Sequence, residues 1–86
     1  MGQRLKQEQA RFASENPLYQ QIIIEIKNLV KNTPGILQTD IYKKLSFTKE
    51  DISYVLYFGA LLNDIRREKK GRTYAVFPAG ETIDIS

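Results

Sequence analysis

Between Pro17 and Asn32 the apolar residues Leu18, Ile22, Ile26 and Leu29 recur at helical spacing, flanked by Tyr19, Ile23 and Val30. Gln20, Gln21, Lys27, Asn28 and Lys31 fall on the opposite side, so the segment predicts an amphipathic helix. Ile24 is the exception, an apolar residue toward the polar side. Asn16-Pro17 supplies a capping side chain and then a proline where its missing N–H does no harm. Asn32-Thr33-Pro34-Gly35 stops the helix and turns the chain. Ile36-Leu37 has room for a short strand. A second helix is predicted at about Gln38–Leu45, burying Ile41 and Leu45 and exposing Lys43 and Lys44. Its cap is poor, because Leu37 stands where Ser or Thr is wanted. Asp40 in the first turn compensates in part through the helix dipole.

Thr48 then caps a third helix in a Thr-x-x-Asp pattern with Asp51. Ile52, Val55, Leu56, Gly59 and Leu62 form its inner stripe, and Asn63 suits the left-handed residue that ends it. Gly59 costs an interior helix position about 1 kcal/mol relative to alanine, which points to another helix passing close by. Two strand-like runs follow, Ile65–Glu68 and Thr73–Phe77, joined by Lys69-Lys70-Gly71-Arg72 as a hairpin with Gly71 at positive φ. Residues 1–16 are polar and glutamine-rich, either a mobile arm or a helix that needs a partner to be stable. Residues 79–86 form a short acidic tail in which Ile83 and Ile85 either add a strand or stay loose.

Composition narrows the chemistry. The 86 residues make one domain, with residues 17–78 as its folded part. Cysteine and histidine are both absent, which excludes a disulfide framework, a Cys/His zinc site and Cys or His catalysis. No Gly-rich phosphate loop is present, so the expectation is a non-enzyme with no cofactor and no metal. No apolar run is long enough to span a bilayer and the N-terminus lacks a signal-like stretch, so a cytoplasmic, membrane-free protein is expected. The formal net charge is +3, and it is unevenly spread. Residues 65–77 carry Arg66, Arg67, Lys69, Lys70 and Arg72 against Glu68 alone, a net +4, whereas residues 17–64 are balanced.

With helix, turn, helix, turn, helix and basic hairpin in that order, the stretch from Leu18 to Phe77 resembles the winged-helix family of helix-turn-helix transcriptional regulators. Gly35-Ile36-Leu37-Gln38-Thr39-Asp40-Ile41-Tyr42-Lys43-Lys44-Leu45 is similar to the family's second-helix pattern. Ile52-Ser53 resembles its Val-Ser pair in the third helix. Ile65, thirteen positions after Ile52 and followed by Arg66 and Arg67, resembles the lead-in to the wing. Lys69-Lys70-Gly71-Arg72-Thr73-Tyr74 looks like the wing tip and return strand. The departures are Leu37 for the usual capping Thr or Ser and Gly59 for a leucine. The resemblance implies an α+β fold, a winged helix-turn-helix of three helices plus a C-terminal β-hairpin. It also implies double-stranded DNA as partner, with the third helix in the major groove and the wing on phosphates. Such regulators are commonly dimers that read two half-sites. Here residues 1–16 or the first predicted helix would supply a homodimer interface.

Mapped onto this chain, the DNA-facing candidates are Lys49, Ser53, Tyr54 and Tyr57 on the third helix, and Arg67, Lys69, Lys70 and Arg72 on the wing. Gln38, Thr39, Lys43 and Lys44 on the second helix are weaker candidates. The third helix is the less persuasive half. Base edges are read mainly by Arg, Lys, Asn and Gln, and only Lys49 qualifies there. Tyrosines donate to phosphate oxygens, yet an exposed Tyr54, Tyr57 and Leu61 face equally suits a protein interface. Two alternatives to a regulator therefore stand, a protein-interaction module using that face and a structural domain of a larger protein. Tyr42, Tyr74, Phe47 and Phe77 are expected in or at the edge of the core.

Overall fold

The computed structural model describes residues 2–79, with side chains from residue 8 onward. In chain order the elements are α1 (Gly2–Ser14), α2 (Pro17–Asn32), β1 (Ile36–Leu37), α3 (Gln38–Lys44), α4 (Lys49–Leu61), β2 (Ile65–Lys70) and β3 (Thr73–Pro78). The class is α+β, as expected. The described residues hold four helices, not three, because residues 2–14 are helical. α3 and α4 are the second and third predicted helices. The tail beyond Ala79, with Ile83 and Ile85, lies outside the described residues.

Among the described side chains of the additional helix, the buried ones are the smallest. Ala10 and Ala13 are each 1% exposed and let α1 lie close against α4 and α2. Phe12, the one large apolar residue of its second half, is 73% exposed on the other side. At the corner into α2 the Asn16 side chain accepts from the Leu18 N–H at 2.9 Å, and Pro17 opens the helix. Gln20 Nε2 donates to the Ser14 carbonyl at 3.0 Å, which ties the two helices end to end. The buried stripe of α2 is rotated from the expected one. Tyr19, Ile22, Ile23, Ile26 and Val30 face inward, whereas Leu18 is 39% exposed.

β1 is short but decides the topology. The sheet order is β1-β3-β2, all antiparallel, so β3 is central. Leu37 pairs with Ala75 in this sheet and precedes α3 without a side-chain cap. A position engaged in the sheet ladder and half-buried takes an apolar residue, which accounts for leucine where a cap is wanted. Gly35 turns the chain into β1 with φ 87, and its N–H donates to the Val76 carbonyl at 2.8 Å.

α4 begins where Thr48 Oγ1 accepts from the Asp51 N–H at 3.1 Å and ends at Asn63, which takes φ 66. Gly59 sits at a close approach, as its cost suggested. A Cβ there would lie 3.2 Å from Ile23 on α2 and 3.2 Å from Ile65 on β2, so both a helix and a strand occupy the space. Ile22, Ile26, Ile41, Ile52, Leu56, Ile65 and Val76 make the centre of the core, at least one from each element of the α2–β3 frame except β1. Tyr42 and Phe47 are half-buried against it.

The hairpin is longer than its sequence signals. β2 runs to Lys70 and Lys70 pairs with Thr73, leaving a two-residue turn of Gly71 and Arg72. Gly71 at φ 62 is the first central residue, as a II′ turn requires. Lys69 and Lys70 are therefore strand residues on opposite faces, where a four-residue connection was expected. Among the described residues no helix is long and apolar enough to cross a membrane.

Candidate nucleic-acid interface

Strand alternation divides the hairpin cations. Ile65, Arg67 and Lys69 share one face of β2, Arg66, Glu68 and Lys70 the other, and Arg72 sits in the turn. Ile65 is 1% exposed, so its face is the one turned toward the helices. On the outer face Arg66 forms an ion pair with Glu68 and lies 4.5 Å over the Phe77 ring. On the inner face the Arg67 guanidinium stacks 4.3 Å over Tyr74, and Lys69 Nζ lies 5.7 Å from the same ring.

From Arg67 a chain of polar contacts runs into the helices. Arg67 Nη1 donates to Gln38 Oε1 at 3.3 Å. Gln38 Nε2 donates to the Tyr42 hydroxyl at 2.6 Å, and that hydroxyl shares a hydrogen bond with Ser53 Oγ at 2.7 Å. Lys49 Nζ lies 5.6 Å over the Tyr42 ring. Lys69, Tyr74, Arg67, Gln38, Tyr42 and then Ser53 with Lys49 thus form one seam from the hairpin, across the start of α3, to the N-terminal half of α4. Gln38 is 9% exposed, a buried amide with both ends engaged. Arg67 is half-buried, and its Nε is buried without a partner among the described residues.

Beyond Ser53 the seam opens into a shallow trough of about 520 Å³ between α3 and α4. Tyr42 of α3 lines it together with Lys49, Glu50, Ser53, Tyr54, Tyr57 and Phe58 of α4. Phe58 takes the edge-on contacts of both tyrosines, its centroid 4.8 Å from Tyr54 and 4.9 Å from Tyr57. Tyr54, Tyr57 and Leu61 remain 43%, 40% and 40% exposed. Glu50 and Asp51 in the first turn of α4 complement the helix dipole and place negative charge at this end of the surface.

The candidates therefore separate. Lys49, Ser53, Tyr54, Tyr57, Arg67 and Lys69 lie along one surface with Gln38. Lys70 and Arg72 are exposed at the hairpin tip, and neither side chain enters a hydrogen bond or ion pair among the described residues. Thr39 is exposed beside Gln38, and Lys43 and Lys44 are exposed in the last turn of α3. Two residues given no role by sequence prove central, Tyr42 as the hub of the polar chain and Tyr74 as the ring beneath two cations. The four-residue spacing of Gln38 and Tyr42 on one helix is the signal that pairs them. Compared with known proteins, the chain matches no family model, no curated protein and no solved structure.

Proposed function

We propose that this chain is a DNA-binding domain of the winged-helix type, belonging to a small transcriptional regulator. In this reading Lys69, Lys70 and Arg72 hold phosphates and α4 faces the bases, in duplex DNA from the major groove. The observation that carries it is the seam, which joins the face of a +4 hairpin to α4 through Arg67, Gln38, Tyr42 and Ser53. The element order supports it too, since α2, α3, α4 and the β2–β3 hairpin follow the three helices and hairpin that the family resemblance implies, with α1 in addition to them. Cation–π contacts at exposed positions stabilise by only ~0.5–1 kcal/mol, so Lys69 exchanges Tyr74 for a phosphate at little cost.

A salt titration of binding to mixed-sequence duplex DNA tests this. Affinity falls steeply with salt, and each of Lys69→Ala, Lys70→Ala and Arg72→Ala lowers the log–log slope by roughly 1. No binding at ~50 mM salt by the parent chain sinks the reading. The exposure of Tyr54, Tyr57 and Leu61 favours a second reading, a protein-interaction module. It takes precedence if Tyr57→Ala abolishes association with a protein while the salt-dependent DNA binding is absent. A homodimer on two half-sites belongs to the first reading, and the solvent-facing Phe12 on α1 marks the surface to test by sedimentation.

A further inference from the structure

We infer that the trough on α4 takes unpaired bases, so that the domain prefers single-stranded DNA to duplex. The inference rests on the DNA reading of the hairpin and specifies what the helix meets. Reading base edges in a groove needs forked or paired donors and acceptors. The outer face of α4 offers Tyr54, Tyr57 and Leu61, with a single cation, Lys49, at its start. What it offers instead is ring surface. Tyr54 and Tyr57 are both exposed, each packs T-shaped with Phe58, and Tyr42 lines the same trough.

Aromatic faces beside a basic track are what a flexible strand requires, because every base has a π-face and every nucleotide a phosphate. Here the two are arranged in sequence along one seam. Lys69 and Arg67 flank Tyr74, and Lys49 flanks Tyr42. Glu50 and Asp51 sharpen the division. Carboxylates at the start of α4 repel phosphates, which line both walls of a duplex groove, while an uncharged base in the trough meets no such penalty. Phosphates are thereby directed to the hairpin and bases to the helix.

The test compares mixed-sequence single-stranded and duplex DNA of equal length, at one low salt concentration, with the full chain. The chain has no tryptophan and five tyrosines, so stacking registers directly as quenching of tyrosine fluorescence. The single strand is expected to bind more tightly and to quench. Tyr57→Ala and Tyr54→Ala each lower the ratio of single-strand to duplex affinity by about five-fold or more, and Tyr57→Phe, which keeps the ring, preserves it. Circular dichroism confirms that each variant is folded. Equal or tighter binding of duplex, or a ratio that neither alanine variant moves, overturns the inference and leaves the DNA reading standing. Failure of the duplex to bind at all overturns the proposed function, and failure of both DNAs to bind overturns the inference with it.

Discussion

Gly59 sets two local effects against each other. Replacing it with alanine improves helix propensity by about 1 kcal/mol, but the new Cβ would lie 3.2 Å from both Ile23 and Ile65. Ile65 is 1% exposed and Ile23 6%, so neither moves aside without displacing core, and overpacking costs ~1–3 kcal/mol. Crowding wins. Gly59→Ala is expected to lower the thermal midpoint and Gly59→Val to lower it further; a midpoint raised by alanine would show that α2 yields freely. Tyr19 makes a second prediction. Its phenol is held well above the ordinary tyrosine range, first by burial and then by donating to Asp64 at 2.9 Å. A pKa raised by folding means that the folded chain holds this proton more tightly than the unfolded one. Its contribution is complete below the unfolded value of about 10 and is lost as pH rises above it. Urea midpoints measured through that range should fall with pH, and Tyr19→Phe should flatten the fall. Residues of this kind differ in how legible they were. The caps Asn16 and Thr48 and the positive-φ Gly35, Asn63 and Gly71 follow from local chemistry and were readable in sequence. Strand alternation puts Arg66 and Arg67 on opposite faces, but which of them turns inward follows from the register that pairs Arg67 with Val76.

At the scale of elements the instructive case is α1. Phe12 is exposed, and among the described side chains the buried ones of α1 are Ala10 and Ala13. Small side chains give almost no periodic signal, yet they let helix axes approach, so a helix held by Ala10 and Ala13 was hidden in a polar, glutamine-rich stretch. The consequence reverses intuition about size. Phe12→Ser, at a side chain 73% exposed, should change stability by no more than ~0.5 kcal/mol. Ala13→Glu, at a position 1% exposed within the core cluster, should destabilise by several-fold more, since it forces a carboxylate into a dry contact. Urea denaturation of the two variants settles the order, and equal effects would mean that α1 does not pack as described. The hairpin shows the opposite balance. Its cations were legible as a cluster, but the two-residue turn was not, because four polar residues around a glycine fit either a long loop or strands that run to their ends. The difference matters for the site, since it aims Lys69 along the inner face and Lys70 away from it.

Across the whole molecule the charge segregation was visible in the sequence, but the link between charge and helix was not. The polar chain from Arg67 through Gln38 and Tyr42 to Ser53 joins β2, α3 and α4, elements whose packing fixes it and whose separate patterns do not contain it. Each link is a buried or half-buried polar group whose satisfaction depends on the others. Removing one partner leaves another desolvated and unpaired, at about 1–3 kcal/mol. Gln38→Leu leaves Arg67 Nη1 without its acceptor and the Tyr42 hydroxyl with Ser53 alone, and Arg67→Leu strands Gln38 Oε1. Once either is gone, the second substitution has less to remove. A double-mutant cycle on Gln38→Leu and Arg67→Leu should therefore be sub-additive by ~0.5–3 kcal/mol. Gln38→Leu paired with the distant Phe12→Ser should be additive. Additivity in the first pair would mean that Gln38 and Arg67 fold independently, and the hairpin would then be joined to α4 through β1 and the apolar core alone.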